Sequence, residues 1–429
     1  MQDFENQQVD KERVVLVAVH KDDTDEATFE ASLTELEQLV ETAGGTVTAV
    51  LTQNRRSLDS KTYVGKGKLE EAVATAEEQE ADLLIFNDEL SPGQISTITN
   101  QTGLYIIDRT QLILDIFAGR AASNEGKMQV ELAQLNYMLP RIRGQGESLS
   151  RLGGGIGTRG PGETKLETDR RHIQKRMDDV RSKLKQVKNR REQYRERRKE
   201  KNVLQFALVG YTNAGKSTIL NALTEADTLE ENALFATLDP LTRRVELPSG
   251  LEVLVTDTVG FIQDLPTALI AAFQATLEEV KEADVLLHVI DGSHPRAAEQ
   301  AATVRRLLKE LEASHIPALT VVNKRDAVED EPVVAADKPS ISISARKDED
   351  VELLRESMEN VLLEQLEPYD VEIPLADGHV MQRFKHETVV REETLDEENE
   401  SWILSGYVQS DQAIHREIKQ YAKGDAGAK

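Results

Sequence analysis

The stretch Val203-Leu-Gln-Phe-Ala-Leu-Val-Gly210-Tyr-Thr-Asn-Ala-Gly215-Lys216-Ser217-Thr218, followed by Ile-Leu-Asn-Ala-Leu, decides the fold. Its first eight residues form the apolar run of a buried strand, its middle spells G-x-x-x-x-G-K-S, and its end has the composition of a helix. A glycine-rich loop between a strand and a helix lets the backbone N–H groups of Gly210, Tyr211, Thr212, Asn213, Ala214 and Gly215 wrap phosphates. Lys216 then supplies a positive charge to the terminal oxygens, and the hydroxyl of Ser217, next to Thr218, can reach a magnesium ion. Such a unit belongs to a doubly wound, mostly parallel α/β sheet.

Further strand-like runs follow at residues 251–256, 285–290, 318–322 and 340–343. The first ends in Asp257-Thr258-Val259-Gly260, where a carboxylate can hold magnesium through water and a glycine N–H can meet a γ-phosphate. After the third comes Asn323-Lys324-Arg325-Asp326. The Asp326 carboxylate can accept two hydrogen bonds from the N1–H and amino group of guanine, an arrangement that adenine does not satisfy. Ser344-Ala345-Arg346 offers a backbone N–H to the guanine oxygen, and Phe235-Ala236-Thr237-Leu238-Asp239-Pro240 offers Thr237 as the magnesium-sensing hydroxyl of a switch segment. Five motifs in this order predict a GTPase that binds GTP and GDP. Ser217, Thr237 and Asp257 are its expected magnesium set, and Lys216, Thr237 and Gly260 its expected catalytic groups. The residue after Gly260 is Phe261, which can neither donate nor accept a hydrogen bond, so hydrolysis is expected to be slow unaided.

The whole chain has 429 residues, which predicts several domains. A content of 39% hydrophobic and 30% charged residues describes a soluble, mostly folded protein. There is no cysteine, which excludes disulfides, thiolate metal sites and a cysteine nucleophile and suits a reducing cytoplasm. The longest apolar runs, 14–19 and 285–290, are far short of the roughly 20 residues that span a bilayer. The polar, acidic N-terminus lacks the form of a signal peptide. A membrane role is not expected.

The net charge of −25 argues against a polyanionic partner until it is divided along the chain. Residues 141–201 hold 20 Lys or Arg against nine Asp or Glu, a net +11, which leaves −36 on the remaining 368 residues. Within this basic stretch, eight of the 25 glycines fall between Gly144 and Gly162, interleaved with Arg151 and Arg159. A solvated charged helix and a flexible linker are the plain readings. Repeated arginines among the glycines instead suit close backbone approach to phosphates. Met128, Leu132, Leu135, Leu139 and Ile142 make a heptad seam before the loop, and Leu166, Ile173, Val180, Val187 and Tyr194, with Met177 and Leu184 between, make one after it. Two seams predict an antiparallel helical hairpin with its tip at 143–162. An arm over 165–200 would be about 54 Å long, suited to a narrow phosphate-lined cavity in folded RNA.

Before the hairpin, residues 13–108 alternate strand and helix and predict a small α/β unit, with Tyr63-Val-Gly-Lys-Gly-Lys68 as a turn. After the GTPase region at 202–366, alternations in 369–420 predict a small α+β domain, and 1–12 and 421–429 read as tails. The hairpin is assigned 109–201.

Gly65-Lys-Gly-Lys-Leu-Glu-Glu71, the run from Leu152-Gly-Gly-Gly-Ile-Gly to Asp169-Arg170-Arg171, and Phe235-Ala-Thr-Leu-Asp-Pro240 resemble the HflX-type ribosome-associated GTPases, of the translation-factor-related class, over residues 13–365. The resemblance implies a hairpin tip that enters the large ribosomal subunit near the peptidyl-transferase centre, with Arg143, Arg151, Gly153, Gly154, Gly155, Gly157, Arg159, Gly160, Gly162, Lys165, Arg170 and Arg171 facing ribosomal RNA. It further implies binding of the large subunit, splitting or rescue of stalled ribosomes, hydrolysis stimulated by the ribosome, and a cytoplasmic protein that is a monomer off the ribosome. The −36 outside the rod suggests a salt-rich cytoplasm. Two rival readings stand beside this one: a GTPase in RNA modification or maturation, and a regulatory GTPase whose hairpin binds a protein as a coiled coil.

Overall fold

Six consecutive apolar residues, Val14, Val15, Leu16, Val17, Ala18 and Val19, are all buried and form the heart of β1 (Arg13–Lys21). The computed structural model describes residues 11–150, 161–200, 203–224, 234–235, 239–262, 274–328, 337–409 and 414–422. They fall into two compact units, one of residues 1–189, 231–239 and 262–275, the other of 190–230, 240–261 and 276–429.

In the first unit β1 lies between β2 (Thr46–Arg55) and β3 (Leu83–Phe86), with β4 (Tyr105–Asp108) beyond, all parallel. Parallel strands need crossovers, supplied by α1 (Glu26–Thr42), α2 (Lys66–Glu78) and α3 (Pro92–Thr102), which is why β1 is apolar on both faces. The helix starts are locally encoded. The Asp25 carboxylate accepts from the N–H of Thr28, and Ser91 with Gln94 forms a capping box ahead of Pro92. The expected turn at Tyr63–Lys68 leads into α2: Gly65 caps the helix and Lys66 opens it. Tyr63 adopts φ +65°, its hydroxyl donating to Asp88 and accepting from the Val19 N–H.

α4 (Arg109–Arg120) follows β4 directly and buries Leu112, Ile113, Leu114, Ile116 and Phe117, so the stretch assigned to the start of the hairpin is a helix of its own. The long pair begins later, with α5 (Asn124–Ser150) and α6 (Pro161–Glu200). Gly144 and Gly146 are helical in α5 and Gly162 in α6, so the segment between the helices is shorter than the 143–162 expected. On α5 the buried stripe is Val130, Ala133 and Tyr137, while Met128, Leu132, Leu135, Leu139 and Ile142 are half-buried. The cause is packing of α5 on α3 and α4, which takes up a face two residues round from the leucine seam. On α6, Met177 and Val180 are buried and Ile173, Leu184 and Val187 half-buried. A two-pronged ion pair, Arg176 to Glu131 at 2.5 and 2.8 Å, ties α6 to α5. Arg141 is spent inside the unit: it lies over the Tyr137 ring, donates to the Leu90 carbonyl at 2.9 Å and faces Asp108 at 3.4 Å.

The second unit carries a six-stranded sheet built from β5 (Gln205–Gly210), β6 (Leu241–Glu246), β7 (Glu252–Asp257), β8 (Val285–Asp291), β9 (Ala318–Asn323) and β10 (Ser340–Ser342), in the order β10-β9-β8-β5-β7-β6. All pairings are parallel except β6 with β7. The edge strand β6 has no counterpart in the sequence reading: Leu241-Thr-Arg-Arg-Val-Glu buries only Val245 and so lacks an apolar run. α7 (Lys216–Thr224), α8 (Gln274–Lys281), α9 (Ala297–Glu310) and α10 (Asp348–Leu363) complete this part. Phe206, Leu208, Val255, Leu287 and Val321 stack with Ile219, Leu220, Leu354 and Met358 in one core. The C-terminal residues form β11 (Glu367–Pro374), α11 (Gly378–Glu387), β12 (Val389–Asp396), β13 (Ser401–Val408) and α12 (His415–Tyr421), with an antiparallel sheet ordered β11-β13-β12. This is the expected α+β domain, closed over Tyr369, Val371, Ile373, Phe384 and Leu404. Among the described residues no helix is long and apolar enough to cross a membrane.

His288 on β8 is buried with no hydrogen-bond partner for Nε2, and burial, reinforced by the Arg305 guanidinium, lowers its pKa to about 4. The unfolded chain takes up this proton near pH ~6.5, so folding stability is present at neutral pH and is lost as the pH falls from there towards the folded value. Urea unfolding between pH 7 and 4 is expected to show His288 contributing up to about 3 kcal/mol to that loss, and His288→Leu to remove this component of the slope.

Candidate nucleotide site

All the parallel strands of the second unit's large sheet deliver their C-terminal ends to one edge, and the loops that leave that edge carry the motifs. Close packing dictates the glycines. A Cβ on Gly210 would overlap the Val289 carbonyl on the neighbouring strand β8, and Gly215, at φ +95°, would drive one into the Asn323 amide. Asn213 takes φ +60°, turning the loop so that α7 begins at Lys216. The Lys216 ammonium is buried and donates to the carbonyls of Gly210 (3.2 Å) and Tyr211 (2.9 Å), which curls the loop around it. Tyr211, Thr212 and Ala214 are buried, and Thr218 is half-buried.

The Ser217 hydroxyl donates to the Asp257 carboxylate at 2.7 Å, bringing together two hard oxygen donors of the kind that bind magnesium. Thr258 anchors the chain by donating to the Leu208 carbonyl at 2.6 Å, and Val259 is buried beside it. Gly260 sits so near Thr212 and the Lys216 ammonium that a Cβ there would meet the Thr212 Cα at 2.8 Å and Lys216 Nζ at 3.1 Å. Phe261 then pairs with the phosphate loop through its backbone: its N–H donates to the Gly210 carbonyl (3.1 Å) and its carbonyl accepts from the Thr212 N–H (2.8 Å). Its side chain is buried.

At the base-binding end, Asn323 joins two loops. Its Nδ2 donates to the Ala214 carbonyl at 3.0 Å and its Oδ1 accepts from the Ala345 N–H at 3.1 Å. Lys324, at φ +65°, pairs with Asp291 at 2.8 Å. Asp326 and Arg346 are exposed, while Ser344 and Ala345 are buried. A hydrogen bond from Ser344 holds the Asp326 carboxyl below its ordinary pKa, so it stays ionised and accepting. Asp291 and Asp350 are absent from the sequence reading. Asp350 accepts from the Ser344 N–H at 2.7 Å and from Arg325 at 2.8 Å. Only Asp291-Gly292 at the end of an apolar strand could have flagged the first of them.

Two groups of expected residues fall in the first unit or outside the described residues. Phe235 and Asp239, expected among the nucleotide contacts, belong to the first unit: Phe235 is fully buried, edge-on to Phe117, and Asp239 accepts from Ser123. Ala236, Thr237 and Leu238 are outside the described residues. So are Arg151, Gly153, Gly154, Gly155, Gly157, Arg159 and Gly160 of the expected RNA-facing tip. Arg143 lies in α5, and Gly162 and Lys165 in α6; Arg170 and Arg171 are exposed on α6.

A phosphate loop closed on a buried lysine, a serine and aspartate that meet, and an N-K-x-D turn stapled to the loop define a P-loop GTPase. Residues 205–324 match the family model of the 50S ribosome-binding GTPase, residues 30–118 that of the GTP-binding GTPase N-terminal region and residues 120–198 that of the GTP-binding GTPase middle region. The chain is 52% identical over 420 residues to GTPase HflX of Alkalihalophilus pseudofirmus, covering 98% of this chain and 99% of that one. It is 41% identical to GTPase HflX of Escherichia coli, over 85% of this chain and 87% of the other. It belongs to the HflX family of GTPases, hydrolysing GTP to GDP and phosphate. A GTP-binding protein of Sulfolobus solfataricus, solved in complex with GDP, is 25% identical over 82% of this chain and 99% of its own, at a TM-score of 0.44.

Burial lowers the Lys216 pKa to about 8, with the Asp257 charge opposing the shift. The charge that attracts phosphates is thus present below that pH and is lost above it. Titration with a fluorescent GDP analogue is expected to show affinity falling above about pH 8, by at most about tenfold per pH unit, and Lys216→Met to flatten the profile.

Proposed function

We propose that this chain is a magnesium-dependent GTPase switch that binds the large ribosomal subunit and, in its GTP form, splits or rescues ribosomes. The observation that carries this reading is the pair α5 and α6, which end at Ser150 and begin at Pro161 on either side, in sequence, of the Gly/Arg segment 151–160, with Arg170 and Arg171 exposed on α6. A basic pair of helices joined by a Gly/Arg-rich segment would suit a phosphate-lined cavity in folded RNA. The rival reading, a coiled coil with a protein partner, is less well supported because one face of α5 is already taken by α3 and α4.

In this mechanism Ser217, Thr237 and Asp257 would hold magnesium, which would neutralise charge on the phosphates. Lys216 draws the β and γ oxygens, the Gly260 N–H reports the γ-phosphate, and Asp326 reads guanine. Phe261 contributes no side-chain hydrogen bond, and its backbone N–H and carbonyl are already engaged by the phosphate loop. The attacking water must therefore be oriented by another group, and the ribosome is the proposed source, so turnover is slow until the two meet.

In sucrose gradients with a non-hydrolysable GTP analogue the protein is expected to sediment with large subunits and to deplete intact ribosomes. Deleting residues 153–162 should abolish that binding while leaving GDP affinity in place. Equal binding of the GTP and GDP forms to large subunits would refute the switch, and survival of binding in the deletion would move the interface away from the tip.

A further inference from the structure

Two loops of the second unit carry the base-reading motifs, one after β9 and one after β10, and they are stapled together by a pair of residues outside the motif letters. The first is Arg325, the variable position of the Asn323-Lys324-Arg325-Asp326 turn. Its backbone N–H donates to the Ile343 carbonyl at 3.1 Å, its Nη1 to the Ser342 carbonyl at 3.3 Å and its Nη2 to the Asp350 carboxylate at 2.8 Å.

The second is Asp350, which is 3% exposed and lies in the first turn of α10, where the helix terminus favours a negative charge. One of its carboxylate oxygens accepts from Arg325 and the other from the Ser344 N–H at 2.7 Å. The next N–H of that loop, on Ala345, donates to Asn323 Oδ1 at 3.1 Å, so the Ser344–Ala345 backbone is gripped from two sides. The Arg346 N–H makes a longer contact, 3.4 Å to the Ser344 hydroxyl, and is the least engaged donor of the three. Ser344 closes the circuit through its side chain, which hydrogen-bonds the Asp326 carboxylate. A buried carboxylate shared between two loops fixes their register, because separating them would leave a charge and an N–H unpaired in the interior.

We infer that Asp350, with Arg325 as its partner, is a positioning residue for guanine recognition. It sets the Ser344–Arg346 backbone against the Asn323–Asp326 turn, so that the 6-oxygen and the amino edge of the base are read together. The inference rests on the reading of these loops as the guanine site. Removing Asp350 loosens the N–H groups meant for the 6-oxygen, while the phosphate loop keeps its own bonds to Lys216 and Asn323. The loss therefore falls on one atom of the base.

The test measures the affinity of the full-length protein for three nucleoside diphosphates: GDP, IDP, which lacks the 2-amino group, and 2-aminopurine riboside diphosphate, which lacks the 6-oxygen. The native protein is expected to bind GDP at least about tenfold more tightly than either analogue. Absence of that preference would refute the guanine reading itself, and the inference with it. In Asp350→Ala, affinity for GDP and for IDP is expected to fall by about tenfold, while that for the 2-aminopurine nucleotide stays within about twofold. Asp350→Asn keeps an oxygen facing the Ser344 N–H and is expected to recover most of the GDP affinity. Arg325→Ala, at a partly exposed side chain, is expected to show the same pattern with a smaller loss of about threefold, and it decides the matter by the same criteria if Asp350→Ala does not fold. With the native preference intact, an equal loss for all three nucleotides marks a merely structural role and overturns the inference. Unchanged GDP affinity in both alanine variants overturns it as well.

Discussion

One buried amide side chain organises the nucleotide edge. Asn323 donates to the phosphate loop and accepts from the Ser344–Ala345 loop, so the pocket for phosphates and the pocket for the base are one rigid piece. Asn323 is itself positioned by the parallel ladder, where it stands opposite Asp291. Asp291 holds Lys324 and Asp350 holds the Ser344 N–H, so each loop is braced by a carboxylate outside the motifs. Removing the Asn323 amide would leave the buried Ala214 carbonyl and Ala345 N–H without these partners.

What could be read beforehand was whatever is written locally. The strand, glycine loop and helix around Lys216 announce themselves because an apolar run and a fixed glycine spacing sit side by side, and the N-K-x-D turn follows a strand of the same kind. The α/β character of the first unit was legible from its alternating periods. Features decided by distant partners were not. The α5 sequence offers two stripes with heptad spacing, and only packing on α3 and α4 selects Val130, Ala133 and Tyr137 over the leucines. β6 was hidden because an edge strand with one buried residue has no apolar signature. The partners of Asp239 at 122 and 123 are remote in the chain and could not be read from its neighbours in sequence.

Glycine density was also an imperfect guide. Gly144, Gly146 and Gly162 all lie in helices despite the usual cost of about 1 kcal/mol each relative to alanine. Arg141, counted with the basic rod, is absorbed by Asp108, the Leu90 carbonyl and the Tyr137 ring. The charge on the α6 surface is therefore carried by residues such as Arg170 and Arg171, and the local excess is slightly smaller than a count along the chain suggests.

The acidity of the remaining residues has a use that net charge alone does not express. β12 is an edge of the C-terminal sheet, and Arg391, Glu392, Glu393, Thr394 and Leu395 along it are exposed. A row of unpaired backbone groups invites another strand to add. Two adjacent carboxylates, a bulge between Val390 and Glu392, and an ion pair from Lys385 to Glu393 make that addition unfavourable. The negative charge thus guards an open sheet edge against self-association.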